Sequence, residues 1–392
     1  EARSTDRKHF GKAFRCGNRR TGKEYKRISD RLYFKEPLHM IERRIKICAN
    51  SSYGGVFVYN LSSQLLEQYP FEVTAIQKGR GTYICTTSEG GKIIMGSFRG
   101  SKGRAEALEH ILLRLKENGI EADEIIHTRE GEILAQEVDE TWYYARKYME
   151  GRECETRSRD DVLAAVEELA HLHLVLQEVE DENLKTGGQD YAMEVFRHNR
   201  ELKKVRNYIH GKHKKNEFEM IFMRNYQTFL NQALDVERRL MKPNPGEAQG
   251  QSGQQSREAA MYGICHGDFN QHNVLFTHGK IIITNFEQAH YDVLVGDLAH
   301  FLRKLMEKHN FNIGLATDML AAYEKRRKLL PEEWEQLYVR MAYPQKFWKV
   351  ANHYFNANKA WVSGRDIEKL NRVIEQEEIR QQFLRMLFYF VE

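Results

Sequence analysis

The chain is poor in cysteine and lacks any long apolar run. Its 392 residues include five cysteines, at positions 16, 48, 85, 154 and 265. They form no CxxC pair, which argues against a structural zinc site, and a sparse, odd number in a long chain predicts a reducing compartment. No apolar stretch approaches the roughly 20 residues of a membrane span. The first residues are polar and basic, so no signal peptide is expected.

Positive charge is concentrated near the beginning of an otherwise ordinary globular composition. Hydrophobic residues make up 41% of the chain and charged residues 30%, enough to bury a large core. Residues 1–50 contain 15 Lys or Arg and 6 Asp or Glu, a net charge of +9, whereas the whole chain carries +4. We interpret residues 1–55 as a basic, poorly ordered arm. It either adheres to an acidic surface or is a solvated extension without a specific partner.

Residues 56–150 have the pattern of a small lobe made of strands and one helix. Strands are predicted at 71–77, 83–87, 92–98, 124–127, 132–137 and 142–148. A helix after Ser101-Lys102-Gly103 has apolar residues on one face at 3.6-residue spacing, and Asn118-Gly119 ends it. The pattern therefore predicts a mixed β-sheet with one helix.

From about residue 151 the pattern becomes mainly helical, which predicts a larger C-terminal lobe over 151–392. Its long helices are predicted at 162–179, 191–210, 217–241, 297–308, 315–327, 332–358 and 367–388. Residues 243–258, rich in Gly, Gln, Ser and Pro, are too polar to bury and predict a flexible surface loop.

The segment HGDFNQHN at 266–273, followed by an apolar strand and NFE at 285–287, carries the chemistry. A phosphotransferase needs a carboxylate that accepts the proton of the attacking hydroxyl, and an amide or carboxylate about five residues later that holds Mg²⁺. Asp268 and Asn273 match these two roles. A second metal-binding carboxylate is needed after the strand, but this position is Asn285. Because Mg²⁺ prefers anionic oxygen, Asn285 should bind it more weakly than Asp would.

These motifs resemble the aminoglycoside-phosphotransferase and choline-kinase branch of the protein-kinase-like fold. The resemblance rests on HGDFNQHNVLF, NFEQAHYDVLVGDLAHFLRK, LLEQYPFEVTAIQKGRGTYICTT, YMEGRE and ELAHLHL. Within that branch the chain is most similar to the spore-coat CotS family. The resemblance implies an α+β, two-lobed fold with ATP and Mg²⁺ as cofactors if the protein is active. It also implies cytoplasmic synthesis during sporulation, deposition in the spore coat, and coat proteins as partners of the basic arm.

The resemblance also shows what the phosphate site lacks. An active relative holds the ATP phosphates with a lysine on the third strand. That lysine would fall at Gly96, which cannot serve. Lys78 or Arg80, in the turn between the first two strands, could reach in instead. The same turn contains Gly79 and Gly81, whose N–H groups would cover the phosphates in the family, although two glycines in a hairpin are otherwise only a turn.

Two further sets of positions follow from the resemblance. Tyr148 and Met149 would form the hinge whose backbone hydrogen-bonds adenine. His266, His173 and Asp297 match framework positions, for which we expect structural roles. Asp297 in particular is expected to anchor the backbone of the catalytic loop.

Three functions remain open. The first is a degenerate phosphotransferase, or pseudokinase, with a structural or assembly role, which the missing lysine and metal carboxylate favour. The second is an active ATP-dependent kinase for a hydroxyl of a sugar, amino alcohol or aminoglycoside, with Asp268 as its catalytic residue and Glu287 as a replacement carboxylate. The third is nucleotide binding without turnover, as a ligand switch. Fold alone does not decide among them, because function resides in the site.

Overall fold

A computed structural model describes residues 61–177, 179–185, 190–241, 260–356 and 364–391. All of them lie in one compact unit, Tyr59–Glu392. The predicted arm over 1–55 and the predicted loop over 243–258 lie outside the described residues. No helix in the described ranges is long and apolar enough to cross a membrane.

The strands form three sheets. They are β1 (Val73–Lys78), β2 (Tyr83–Thr87), β3 (Lys92–Phe98), β4 (Glu121–Ala122), β5 (Ile125–Ile126), β6 (Leu134–Gln136), β7 (Trp142–Lys147), β8 (Arg152–Glu153), β9 (Tyr262–Cys265), β10 (Val274–Thr277), β11 (Lys280–Ile283) and β12 (His290–Val293). The largest sheet has the order β1-β2-β3-β7-β5, with β6 also paired to β7, and every pairing in it is antiparallel. All six predicted strands of the first lobe are confirmed, some with shorter bounds.

The helices are divided unequally between the lobes. They are α1 (Ser63–Leu66), α2 (Lys102–Glu117), α3 (Arg159–Leu176), α4 (Glu182–Lys185), α5 (Tyr191–His210), α6 (Glu217–Leu240), α7 (Val295–Lys308), α8 (Ile313–Arg326), α9 (Pro331–Ala342), α10 (Gln345–Asn356), α11 (Gly364–Glu375) and α12 (Glu377–Phe388). Of the helices in the described residues, only α1 and α2 precede the hinge at Tyr148 and Met149. The predicted two-lobed α+β architecture is therefore confirmed.

Helix α2 begins and ends where local chemistry predicts. The Ser101 hydroxyl accepts a hydrogen bond from Arg104 N at 3.1 Å, an N-cap that contributes about 1 kcal/mol. The helix buries Leu108, Ile111 and Leu115 on the face toward the core. These side chains join the first lobe to the core of the helical lobe, because they belong to the same apolar cluster as α3 and α7.

Two long helices predicted from the sequence are each two helices. The predicted helix over 332–358 stops at Ala342 and resumes at Gln345. Pro344 causes the break, because the residue before a proline avoids helical backbone, and Tyr343 is extended with ψ 129°. The predicted helix over 367–388 is interrupted only at Gln376, whose N–H still donates to Arg372 O. Its side chain donates to Glu307 O at 3.1 Å instead of lying along the helix.

A small second sheet places the site. Strands β10 and β11 form a hairpin, and β4, from the first lobe, adds to β11 in parallel, with Ala122 opposite Ile283. Because Asp123 follows Ala122 and Asn285 follows Ile283 by two residues, this pairing brings Asp123 to the predicted metal position.

Candidate active site

A buried carboxylate holds the catalytic loop, residues 266–273. Asp297 Oδ2 accepts from His266 N at 2.6 Å, and its Oδ1 accepts from Gly267 N at 3.0 Å. The predicted anchoring by Asp297 is thereby confirmed. Gly267 has a φ of +80°, and a Cβ there would lie 2.1 Å from Gln288 O, so only glycine fits.

The charge on Asp297 is maintained inside the core. Burial alone would raise its pKa, but His173, His266 and the loop N–H group bring the pKa down to about 2. His173 Nε2 lies 3.4 Å from Asp297 Oδ2, and its Nδ1 lies 2.7 Å from the Tyr323 hydroxyl. Burial lowers the pKa of His173. His173 and Asp297 therefore act as the structural framework that the sequence predicts.

Asp268 and Asn273 lie together in the geometry that their spacing predicts. Asn273 Nδ2 donates to Asp268 O at 2.8 Å and to Asp268 Oδ2 at 3.2 Å. His266 Nδ1 accepts from Asp268 N at 3.2 Å, which fixes the backbone of the loop. His300 Nε2 and Lys304 Nζ lie 3.7 and 3.8 Å from Asp268 Oδ1. The carboxylate is thus oriented from several sides.

The predicted metal position is closed by an ion pair that sequence reasoning missed. Asn285 is in the left-handed region, with φ 72° and ψ 55°, and its N–H donates to the Asp123 carboxylate. The Arg146 Nη1 donates to both oxygens of Asp123, at 2.7 and 2.8 Å. Burial alone would lower the pKa of Arg146, but Asp123 raises it. Both members of the pair are buried and both line the cleft.

The predicted lysine position is filled by an aromatic ring. Gly96 in β3 lies opposite Tyr144 in β7. A Cβ at Gly96 would lie 3.2 Å from Tyr144 Cε1 and 3.5 Å from Thr82 Cγ2. Tyr144 is buried and packs edge-on against Phe98, with 5.8 Å between the ring centroids. A lysine side chain at Gly96 would therefore require the Tyr144 ring to shift by a few tenths of an ångström.

The remaining cations of the cleft are also paired. Arg80 Nη1 donates to Glu153 Oε1 at 2.8 Å, and the other oxygen of Glu153 lies 2.5 Å from His272 Nδ1. Lys147 Nζ lies 3.3 Å from Glu124 Oε2. Arg80 therefore spans from the glycine turn toward the catalytic loop without offering an uncompensated charge to a phosphate.

The cleft brings together six of the eight predicted site residues. It has a volume of about 460 Å³, and the predicted residues that line it are Gly79, Tyr148, Met149, Asp268, Asn273 and Asn285. Lys78 and Gly81 do not line it. Glu287 lines a separate small cavity with Tyr144 and Arg146, and burial raises its pKa. Glu287 does not line the cleft itself, although Asp123 and Arg146 line both spaces.

The two predicted metal positions carry no charge. Asn273 and Asn285 are uncharged, and Asp123 already neutralises Arg146. In the described part of the chain, no group of three or more His, Cys, Asp or Glu side chains could hold a metal. The two predicted metal positions themselves therefore offer only amide oxygens, whereas Mg²⁺ prefers anionic ones.

The sequence gives only a weak signal for the pairing of Asp123 with Arg146. Both are charges beside or within short apolar strands, and an inward charge in a buried strand requires a partner. That partner is 23 residues away, and no local pattern identifies it.

Comparisons with known proteins agree with this geometry. A family model described as "Spore coat putative kinase YutH" matches residues 62–387. Spore coat protein S of Bacillus subtilis (strain 168) is 26% identical over 124 residues, which are 31% of this chain and only 35% of that protein.

Among the solved structures that resemble the chain are two phosphotransferases. An aminoglycoside phosphotransferase from Alicyclobacillus acidocaldarius subsp. acidocaldarius DSM 446 has a TM-score of 0.70 at 17% identity, covering 87% of this chain and 98% of that one. A spectinomycin phosphotransferase in complex with ADP and spectinomycin has a TM-score of 0.58 at 13% identity, covering 83% and 99%. At these identities the likeness establishes the protein-kinase-like fold.

Proposed function

The chain belongs to the spore coat kinase family YutH, and on that premise we propose that it is a kinase-fold protein of the spore coat whose phosphotransferase site is degenerate. The observation that supports this most is the pairing of the described cations that line the cleft. Arg80, Arg146 and Lys147 each contact a carboxylate of the chain itself. Each of these cations would therefore meet a nucleotide phosphate with part of its charge already compensated.

The energetic argument concerns two missing contacts. One hydrogen bond to a charged group contributes about 1.5–3 kcal/mol, and a contact made in the transition state often contributes more. Gly96 and Asn285 each remove one such contact. The loss of both is expected to leave little phosphoryl transfer.

Thermal unfolding with ADP or ATP, with and without Mg²⁺, tests this proposal. A ligand that binds only the folded protein raises the unfolding midpoint by mass action. We expect no magnesium-dependent rise at millimolar nucleotide. Sodium tripolyphosphate at equal ionic strength is the control for binding of any polyanion to basic surfaces. A rise that requires both adenine and Mg²⁺ would overturn the proposal.

A second function is favoured by one specific observation. Asn273 Nδ2 donates to both the backbone oxygen and the carboxylate of Asp268, so these two side chains lie together in the loop. This arrangement is compatible with an active phosphotransferase for a small-molecule hydroxyl, with Asp268 accepting the proton. A magnesium-dependent shift in the unfolding experiment, followed by ADP release with an acceptor, would select this function.

We also propose that the protein is made in the cytoplasm and deposited in the spore coat through its basic arm. The support is the family and the net charge of +9 in residues 1–50. Immunoblots of coat extracts should contain the full chain. A full-length variant with Arg19, Arg20, Arg43 and Arg44 changed to Glu should instead remain in the mother-cell fraction. Equal deposition of both would refute the role of the arm.

A further inference from the structure

A second cavity lies in the helical lobe beside the catalytic loop. Its volume is about 360 Å³, a size suited to a small molecule. Gly267 of the loop and five residues of α7, including Asp297, form part of its wall, and helices α5 and α10 contribute most of the rest. It shares no lining residue with the nucleotide cleft.

Four cations from four different helices line this cavity. They are Arg197 of α5, Arg303 of α7, Arg340 of α9 and Lys349 of α10. None of the four has a carboxylate within ion-pair distance among the described residues. Arg303 contacts His300 Nδ1 at 3.3 Å, and Arg340 stacks on the Tyr191 ring, 4.5 Å from its centroid.

The carboxylates of the cavity have other partners. Asp297 accepts from the catalytic loop. Asp292 Oδ1 accepts from Val293 N at 2.7 Å, and Asp292 Oδ2 lies 3.7 Å from His290 Nε2. Glu194 Oε1 lies 3.6 Å from His198 Nε2. The four cations therefore face the cavity without direct compensation.

The four cations outnumber the three carboxylates in the lining of the cavity, which are Glu194, Asp292 and Asp297. Partial burial, followed by the charge of Arg303, lowers the pKa of Lys349. Gly296, in the first turn of α7, also lines the cavity, and the N-terminus of a helix carries partial positive charge. An anion bound there would relieve the repulsion between these groups.

We propose that this cavity binds a small anionic molecule through phosphate or carboxylate oxygens. Arginine favours such groups because its planar guanidinium pairs with two oxygens at once. The cavity does not suit a cationic amino alcohol or aminoglycoside. Binding requires neither nucleotide nor turnover, so it goes beyond the proposed function. His300 connects the cavity to Asp268, since its Nε2 lies 3.7 Å from Asp268 Oδ1.

Isothermal titration of the full chain with inorganic phosphate, citrate and choline chloride, at constant ionic strength and without Mg²⁺, tests the proposal. We expect saturable binding of phosphate or citrate and none of choline. Tighter binding of phosphate would indicate a phosphate ligand, and tighter binding of citrate would indicate a carboxylate ligand. Arg303→Gln and Lys349→Gln should each weaken that binding by about tenfold or more, since each removes a charge-assisted contact.

The matched control is Arg200→Gln, which removes one exposed positive charge from α5 outside the cavity lining. It should bind the anion as the unchanged protein does. Equal weakening in this control, unchanged binding in the cavity variants, tighter binding of choline, or no binding of either anion would each overturn the proposal. Thermal unfolding without ligand verifies that each variant is folded. The cavity variants leave Asp268 and the cleft cations in place, so this result is independent of the nucleotide test.

Discussion

Replacing Asp123 with Asn should lower the stability of the protein and, at the same time, increase the capacity of the cleft to bind phosphate. The pair with Arg146 is buried, with side-chain exposures of 5% and 7%. Removing one charge of a buried pair costs about 3–5 kcal/mol, because the other charge is left uncompensated. Native proteins are stable by about 5–15 kcal/mol, so the variant should still fold but unfold at lower urea concentration.

The same change should create an uncompensated cation in the nucleotide cleft. In the Asp123→Asn variant, Arg146 can pair with a phosphate. Binding of ATP without Mg²⁺ should therefore restore part of the lost stability. At a ligand concentration of 100 times Kd the recovery is about 2.7 kcal/mol. Urea unfolding with and without ATP measures both effects.

A second buried pair provides the control for this prediction. Arg327 and Glu333 lie 2.8 Å apart with side-chain exposures of 6% and 0%, and neither lines the cleft. Glu333→Gln should be destabilised to a similar extent but not rescued by ATP. Equal rescue of both variants, or an Asp123→Asn protein as stable as the unchanged chain, would refute the reasoning.

Three further predictions concern the same site. Asn285→Asp alone should not produce a magnesium-dependent shift with ADP in thermal unfolding, because the lysine is still absent; a large shift would show that another cation has replaced it. Gly96→Lys should lower the free energy of unfolding by about 1–3 kcal/mol in urea, since its side chain must displace Tyr144, and a stable variant would contradict that packing. The pKa of Asp297 is about 2 in the folded protein, against an ordinary 3.8. This difference stabilises the fold at pH values above the unfolded pKa, and the stabilisation is lost as the pH falls through the folded pKa. Urea unfolding should show an advantage over Asp297→Asn of about 2–3 kcal/mol near neutral pH that shrinks between about pH 4 and 2; a constant difference would exclude this linkage.

Local signals allowed most of the fold to be predicted. Strands β2 and β3 were predicted with their observed bounds, because alternation and turn glycines define them within a few residues. The break at Pro344 had a clear signal, yet the strong apolar periodicity on both sides favoured one helix. The interruption at Gln376 had no signal in the sequence, because its cause is a side-chain contact with Glu307 in a distant helix.

The candidate site was predictable only where it is contiguous. Asp268, Asn273 and Asn285 follow from spacing along one loop and one strand. The ion pair of Asp123 and Arg146 depends on a two-residue parallel pairing between β4 and β11, whose partner residues are 161 positions apart. A strand of two residues is too short to show a periodicity. The sequence likewise gives no signal that four helices meet at the second cavity.

The two gaps in the phosphate site are linked through the packing around them. Tyr144 fills the space of the missing lysine, and Arg146, two residues along β7, carries a positive charge into the cleft. That charge would attract phosphate if Asp123 did not neutralise it, and Asp123 also holds the backbone of Asn285. Restoring the residue at either Gly96 or Asn285 alone therefore leaves the other position blocked by these neighbouring residues. Recovery of a working site would require a lysine, a smaller residue than Tyr144, a metal carboxylate and a released Arg146 together, so single substitutions are expected to change stability more than activity.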